Sequence, residues 1–588
     1  MAPHFRSYLS VFFFCSLHFL HDLSTTAFSP SIHQFHSTTT SKQTSYTMSI
    51  KSTKIADPAN DVSQTKQFRY EASTDIQSVY NQMDVVDKKI PMKNGLLAFL
   101  VTLFLGVPIW FAFLLPFTIV ASAIHFGYVL ISGGKLFSNS KKSGKTTIDS
   151  VFDASEDENI EIVPMESRKY DVVLLGATGY TGKLATTYLA KQYGVGSKST
   201  VNWAIAGRSK AKLNQTLESI SMELGNVDVK NVDVIITDTS DKTTLKNLVT
   251  DTRAVITTAG PFQKYGSPVV EFCVKYGTHY ADITGEVDWN KKMMKRYESS
   301  ALKTGSKLVS FCGHDSVPWD LTVRHLSNKL REDCNDDLEY VECLDEMKGA
   351  ASGGTLATVY ESLDQAVKEF ELEFGGNPLD LYERLPDGSE SPYKVISDLP
   401  STVSQCRNPS PRFANKWCSP FFMAPINMAI VQRSVALSLA RKSITPVKYR
   451  EAAVAENFMD AFTMWFGLII ISTLIFNPVT RQILKKLLPQ PGEGPSEKTR
   501  MEGFLCVSGY GIGVKGNKAE SVMYFPQDGG YHSTARMLVE SGLCLALDGE
   551  KHSYSDGGFY SPASIMCDPL VDRLVKTGSK FACAIERK

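Results

Sequence analysis

The residues best suited to chemistry form a glycine-rich turn, Gly176-Ala177-Thr178-Gly179-Tyr180-Thr181-Gly182. It follows a short apolar run, Tyr170 to Leu175, and precedes a helical stretch, Lys183 to Gln192. Gly176 permits the tight turn leaving a strand, Gly179 leaves room for a pyrophosphate, and Gly182 lets the helix pack on the strand. The exposed amides and dipole of that helix start suit phosphate. A second strand, Val201 to Ala206, ends in Gly207-Arg208-Ser209. An acidic residue at that strand end would take the ribose hydroxyls of NAD; Arg208 with Ser209 suits the 2'-phosphate of NADP instead. Outside this context Arg208 would read as a solvated loop charge. Strand Val232 to Thr237 ends at Asp238, and Ala254 to Thr258 opens into Ala259-Gly260-Pro261, a loop placed beside the cofactor.

Hydride transfer needs a positioned nicotinamide and, often, a proton donor near the reacting carbon. Tyr280-Ala-Asp282-Ile-Thr-Gly-Glu286 follows one short strand, and His314-Asp315-Ser316 follows another, Lys307 to Phe311. The C-terminal edge of such strands hosts ligands in open α/β sheets. His314 or Tyr280 is the expected proton donor, with Asp282 and Glu286 orienting substrate or ribose. The competing reading has Asp282, Asp315 and Ser316 capping turns and helices. Ser352-Gly-Gly-Thr355 is either a polar loop lining the cleft or a helix start. No Ser-His-Asp or Cys-His arrangement is legible, and no cysteine or histidine spacing suggests a metal. The 11 scattered cysteines read as reduced thiols of a body folded in a reducing compartment, with no spacing that supports a disulfide.

The alternation of strands and helices from Arg168 predicts an α/β fold: a Rossmann-type, doubly wound parallel sheet over 168–310, then a second α+β domain over 311–588. Pro489 to Ser496 is a linker or ordered loop, strands resume at Phe504 to Ser508 and Ser521 to Phe525, and His532 to Leu547 is helical. The expected second sheet is smaller and antiparallel. At 588 residues two or three domains are expected, and 62 basic against 62 acidic residues leave no surplus for nucleic acid.

The chain ahead of residue 168 is of another kind. Residues 1–27 resemble a signal peptide, and 28–90 a transit-like leader with no Asp or Glu between Phe28 and Ala56. A disordered leader with Met48 as the start is the alternative. Leu96 to Ser132 carries no Asp, Glu, Lys or Arg, which predicts a membrane segment, followed by a linker over 133–167. Lysines on both sides and Pro108 and Pro116 inside favour a hairpin slightly over a single span. A second contact is expected over 461–488, from the apolar Ala461 to Phe476 and the basic, amphipathic Arg481 to Leu488; a core helix is the alternative.

Together GATGYTG, AGRS, TAGPFQKYG, HYADITGE, GHDSVPWDL, SGGT and the text from Pro491 to Phe504 resemble the saccharopine dehydrogenase-like oxidoreductases, which include the trans-acting enoyl reductases. The resemblance runs from Arg168 to the C-terminus. It implies an NADP-binding Rossmann domain, a second domain for substrate and dimerisation, and a closing helix that returns to the first domain. It also implies links to membranes or lipid droplets and to lipid or glycolipid metabolism. The expected function is an NADP-dependent oxidoreductase acting on a lipid-linked or apolar substrate. Expected partners are that substrate, a plastid, endomembrane or lipid-droplet surface, and a second copy of the chain. The alternatives are a non-catalytic nucleotide-binding scaffold and a lysine-pathway saccharopine dehydrogenase.

Overall fold

Six strands of the first sheet follow the βα alternation of the sequence. They are β1 (Tyr170–Leu175), β2 (Trp203–Gly207), β3 (Asp233–Ile236), β4 (Thr252–Thr257), β5 (His279–Asp282) and β6 (Lys307–Val309). The computed structural model describes residues 75–87, 95–117, 160–314, 316–349, 379, 381–437, 446–487, 490 and 492–588. The expectations for 1–74, 118–159, Asp315 and Ser352 to Thr355 lie outside these residues.

All six residues of β1 are buried, as a central parallel strand requires. The sheet has seven parallel strands in the order β14-β6-β5-β4-β1-β2-β3. Its last member, β14 (Gly558–Tyr560), comes from the C-terminal end of the chain, so residues 168–310 do not complete this layer. The intervening helices are α3 (Tyr180–Tyr193), α4 (Lys210–Leu224), α5 (Lys242–Thr250), α6 (Phe262–Tyr276) and α7 (Val287–Thr304). A late helix, α13 (Thr534–Leu547), packs across β1, β4, β5 and α3.

The second sheet departs from expectation in size and direction. It has eight strands, running β15-β13-β12-β7-β11-β10-β9 with β8 on β11. These are β7 (Leu338–Lys348), β8 (Lys394–Ser397), β9 (Ser404–Gln405), β10 (Trp417–Pro420), β11 (Pro446–Ala455), β12 (Phe504–Gly513), β13 (Lys518–Phe525) and β15 (Lys580–Glu586). It is mixed, because β7–β11 and β11–β8 are parallel. The central strand β7 was hidden in the sequence because its run LEYVECLDEMK buries Glu342 and Asp345, which breaks the apolar pattern. Helix α8 (Val317–Cys334) covers one face, where Thr322 and Leu326 meet Gly509 and Gly511. Helices α9 (Ala424–Leu437) and α14 (Pro562–Lys576) pack on α8.

The other face is covered by α1 (Ile76–Asp87), which corrects the reading of 28–90 as a leader throughout. Val79, Tyr80 and Met83 bury against Phe504, Cys506, Val522, Tyr524 and Ala582, with Ile76 beside them. Residues 504 and 506 alternate with 509 and 511 across the pleat, so α1 and α8 sandwich the sheet. Tyr80 Oη donates to Ser508 Oγ at 2.8 Å.

A helical run, α2, spans 95–117, and α10 (Phe458–Phe476) lies along it. Both are long and apolar enough to cross a membrane by length and composition. Phe99 meets Phe462 at 5.7 Å, Trp110 meets Phe466 at 5.9 Å, and Trp110 Nε1 donates to Thr473 Oγ1 at 3.1 Å. Phe104 and Phe113 on α2 stay 67% and 69% exposed. The chain passes through Pro108 as helix, with π-type turns at Thr102–Gly106 and Trp110–Leu114 flanking the proline, and residues 118–132 of the expected hairpin or span lie outside the described residues. Helix α11 (Pro478–Leu487) follows, with Arg481 buried and donating to the Ile475 carbonyl at 3.1 Å.

Candidate active site

The glycine turn is built by close approach. Gly176 has φ +91°, and a side chain there would begin 2.9 Å from the Ala259 nitrogen. A side chain on Gly182 would begin 2.1 Å from the Gly176 oxygen, so α3 starts directly against the end of β1. The Gly179 amide closes the turn onto the Gly176 oxygen at 3.0 Å. The first-turn amides of α3, at Tyr180, Thr181 and Gly182, have no preceding helical turn to bond. Ala177 is buried beneath them and Thr178 is exposed above. This cradle fits a dinucleotide pyrophosphate.

The neighbouring strand ends converge on the same edge. Thr258 Oγ1 donates to the Gly176 oxygen at 3.1 Å, which fixes Ala259-Gly260-Pro261 beside the turn. Arg208 is exposed at the end of β2, its guanidinium 5.8 Å from the Tyr265 ring. Ser209 caps α4 through the Lys212 amide. Asp238 ends the β3 segment and accepts from the Ser240 amide and hydroxyl at 2.9 and 2.7 Å. Those bonds, and then Arg208, hold its carboxyl below the usual range.

Tyr280 and Asp282 are fully buried. Tyr280 Oη donates to Asp282 at 2.7 Å, and the Thr284 amide, Ser310 hydroxyl and Phe311 amide donate to the same carboxylate at 3.0, 3.1 and 3.3 Å. This corrects the expectation that Tyr280 donates a proton to substrate or that Asp282 orients it. Neither side chain reaches a surface, and Asp282 instead holds the loop after β6. That loop passes through Phe311, whose φ of +64° is a strained value for a bulky residue, and delivers His314. Glu286 is also committed, accepting from the Phe262 and Gln263 amides at 2.9 and 2.7 Å to cap α6.

His314 is the remaining proton-donor candidate. It sits between the sheets: its amide donates to Thr534 Oγ1 at 2.9 Å, and its Cδ2 lies 2.8 Å from where a side chain on Gly529 would begin. The His314 ring meets Trp319 edge-on at 5.2 Å and Phe421 at 6.4 Å. Ser316 Oγ donates to Asn427 Oδ1 at 3.3 Å. Below lie two more buried acids. Trp319 Nε1 donates to Asp345 at 2.7 Å, while Asn427 and Tyr449 donate to Glu451 at 2.7 and 2.5 Å.

A further contact lay outside the sequence reading. Arg500, on the short helix α12 (Glu497–Met501), donates to Tyr180 Oη and to the Pro495 carbonyl, each at 2.7 Å. Tyr180 Oη also donates to that carbonyl. The Tyr180 and Tyr531 rings meet at 5.3 Å. Of the Gly/Pro-rich segment read as a linker or ordered loop, Gly492 to Ser496 is a loop seated on the cofactor turn. Its signal was its place within the quoted motif from Pro491 to Phe504.

Residues 172–309 match the saccharopine dehydrogenase NADP-binding domain. A trans-acting enoyl reductase of Mycobacterium ulcerans is 32% identical over 429 residues, covering 70% of this chain and 97% of its own. Its namesake in Mycobacterium tuberculosis is 32% identical over 435 residues, with the same coverage. A further Mycobacterium tuberculosis protein is 33% identical over 428 residues, covering 70% of this chain and 96% of its own. The chain belongs to the saccharopine dehydrogenase-like oxidoreductases. Within that family it is related to the trans-acting enoyl reductases, and it is an NADP-binding oxidoreductase. Saccharopine dehydrogenase (L-Glu forming) of Saccharomyces cerevisiae superposes with a TM-score of 0.40 at 12% identity, over 71% of this chain and 99% of that one.

Proposed function

We propose that this oxidoreductase uses NADPH to reduce a carbon–carbon double bond conjugated to a carbonyl, in a lipid-like substrate held at a membrane surface. The observation that carries the reaction class is the match to trans-acting enoyl reductases, which spans both sheets rather than the cofactor domain alone. When bound, NADPH would supply a hydride for the β-carbon. The α3 amides hold its pyrophosphate and Arg208 pairs with its 2'-phosphate. His314 gives a ring proton to the α-carbon, and the loop fixed by Asp282 holds it at the strand edge.

The membrane part of the reading rests on the exposed apolar face of α2 and its packing on α10. It also rests on the lysines that flank the Leu96 segment. The presequence composition of 1–56 supports a plastid or endomembrane surface, and the family resemblance adds a lipid-droplet surface as the alternative.

The test is full-length protein in detergent with NADPH and a trans-2-enoyl thioester. The expected result is NADPH oxidation with a product carrying two added hydrogens, kcat sharply reduced in His314→Ala, and NADPH preference lost in Arg208→Ala. No turnover of any enoyl substrate, or equal affinity for NADPH and NADH in the wild type, overturns the reading. Recovery of the tagged full chain only in the soluble fraction overturns its membrane part.

A further inference from the structure

Two cysteines face one another where the sequence offered no disulfide spacing. Cys406 and Cys418 are twelve residues apart, and their Sγ atoms lie 2.9 Å from each other. That is inside van der Waals contact and about 0.9 Å beyond a disulfide bond. They flank a hairpin between β9 and β10: Gln405 pairs with Trp417, Ser404 with Cys418, and the Cys406 amide bonds the Lys416 carbonyl at 3.1 Å. Cys406 is thus the diagonal neighbour of Cys418 on one face of the ribbon. Cys418 is fully buried against Leu344, Phe413 and Ala452, and Cys406 is partly exposed.

The segment between them does a particular job. Arg412 grips both carboxylate oxygens of Glu346, from Nε at 2.9 Å and Nη2 at 3.0 Å. The same guanidinium stacks 4.4 Å over the Tyr80 ring and points Nη2 at Met83 Sδ. Phe413 meets Tyr80 edge-on at 6.4 Å. Tyr80 and Met83 belong to α1, and only residues 88–94 separate α1 from the apolar run α2.

We propose that Cys406 and Cys418 are a disulfide-forming pair whose closure clamps the 407–416 segment, and through Arg412 fastens α1 to the second sheet. The partly exposed Cys406 thiolate attacks a small disulfide, releasing one thiol and leaving a mixed disulfide on Cys406. Cys418 sulfur then attacks the Cys406 sulfur and expels the second thiol. Two protein thiols are oxidised, one external disulfide is reduced to two thiols, and the two thiol protons leave with them. Cys418 shares its proton with Cys406 and is buried, and both effects push its thiol up; it therefore reacts second. The pair changes the tether of α1, not the hydride chemistry, so it stands whether or not the enoyl reading holds.

The test uses the full-length protein in detergent, with thiols alkylated at lysis, digested by trypsin without reductant. Cuts at Arg407, Arg412 or Lys416 part the two cysteines unless they are bonded. The expected result is a Cys406–Cys418 linked peptide, at isolation or after equilibration with oxidised dithiothreitol, and its loss in Cys406→Ser. Amide exchange in 76–87 and 407–416 should slow several-fold on oxidation and recover on reduction. Complete alkylation of both cysteines after oxidised dithiothreitol overturns the pair. Linkage with unchanged exchange in 76–87 overturns the clamp.

Discussion

Each sheet buries carboxyl groups, and the two sheets treat them in opposite ways. Asp282, at the end of β5, accepts four hydrogen bonds. Three of those donors come from the loops just past β5 and β6, where backbone amides are free of the ladder. Its carboxyl is pushed up by burial, but the donors, the Thr284 amide first, hold it at about 6. Asp345 lies within β7, where the ladder has consumed the backbone amides; Trp319 serves Oδ1, and Oδ2 has no hydrogen-bond partner among the described residues. Glu451 is diagonal to it on β11, since Cys343 pairs with Glu451 and Asp345 with Ala453. Burial first, and then Glu451, drive the Asp345 carboxyl well above its usual range; burial takes Glu451 to about 8. A strand end supplies the amides that keep an acid ionised, whereas a strand interior favours the neutral acid.

The sharpest way to break this contrast is Asp282→Ala. It leaves the Tyr280 and Ser310 hydroxyls and two amides without their acceptor in a dry site, and the expected loss is about 3–5 kcal/mol in denaturant unfolding. His314 would lose the loop that places it, so kcat should fall as well. A loss below about 1 kcal/mol would mean that Asp282 is not the latch of the β6 loop.

The two halves were also unequally legible. The Gly176 turn and Arg208 could be read because both depend on local spacing, a strand end and the start of a helix. Tyr280 and Asp282 stood out as chemistry-bearing residues, but their burial depends on Ser310 and Phe311 arriving from β6, which no local pattern carries. Arg500 and Tyr180 are 320 positions apart, and β7 finds its parallel partner β11 across a crossover of about a hundred residues. Helix α1 was within reach: Ile76, Val79, Tyr80 and Met83 follow the i, i+3, i+4, i+7 stripe, but the polar leader before them drew the boundary too late.

A smaller effect should appear in the pH dependence of stability. A carboxyl whose folded value is raised binds its proton more tightly in the native state. Its contribution is therefore complete below the unfolded value and is lost as pH rises to the folded one. For Asp282 that window runs from 3.8 to about 6, and for Glu451 from 4.5 to about 8. Unfolding free energy should therefore decline between pH 4 and 8 through these groups, with the Glu451 share extending highest. Asp282→Asn should flatten only the lower part of the curve. A wild-type profile that rises across this interval would remove the basis for treating the second-sheet acids as neutral.

The smallest effect, and the most discriminating, is Glu451→Gln at pH 7. If Glu451 is already a neutral acid there, its amide keeps a carbonyl to accept from one of its two donors, and the substitution removes no charge from the site. The expected change is within about 1 kcal/mol of wild type, against several for Asp282→Ala. The variant should also lose the decline above pH 6, because the group responsible no longer titrates. Asp345 would respond in turn: without a neighbour able to ionise, its carboxyl should move back toward its usual range. A Glu451→Gln penalty as large as that of Asp282→Ala would show that Glu451 is held charged by the Asn427 and Tyr449 donors, and the two sheets would then be treating their acids alike.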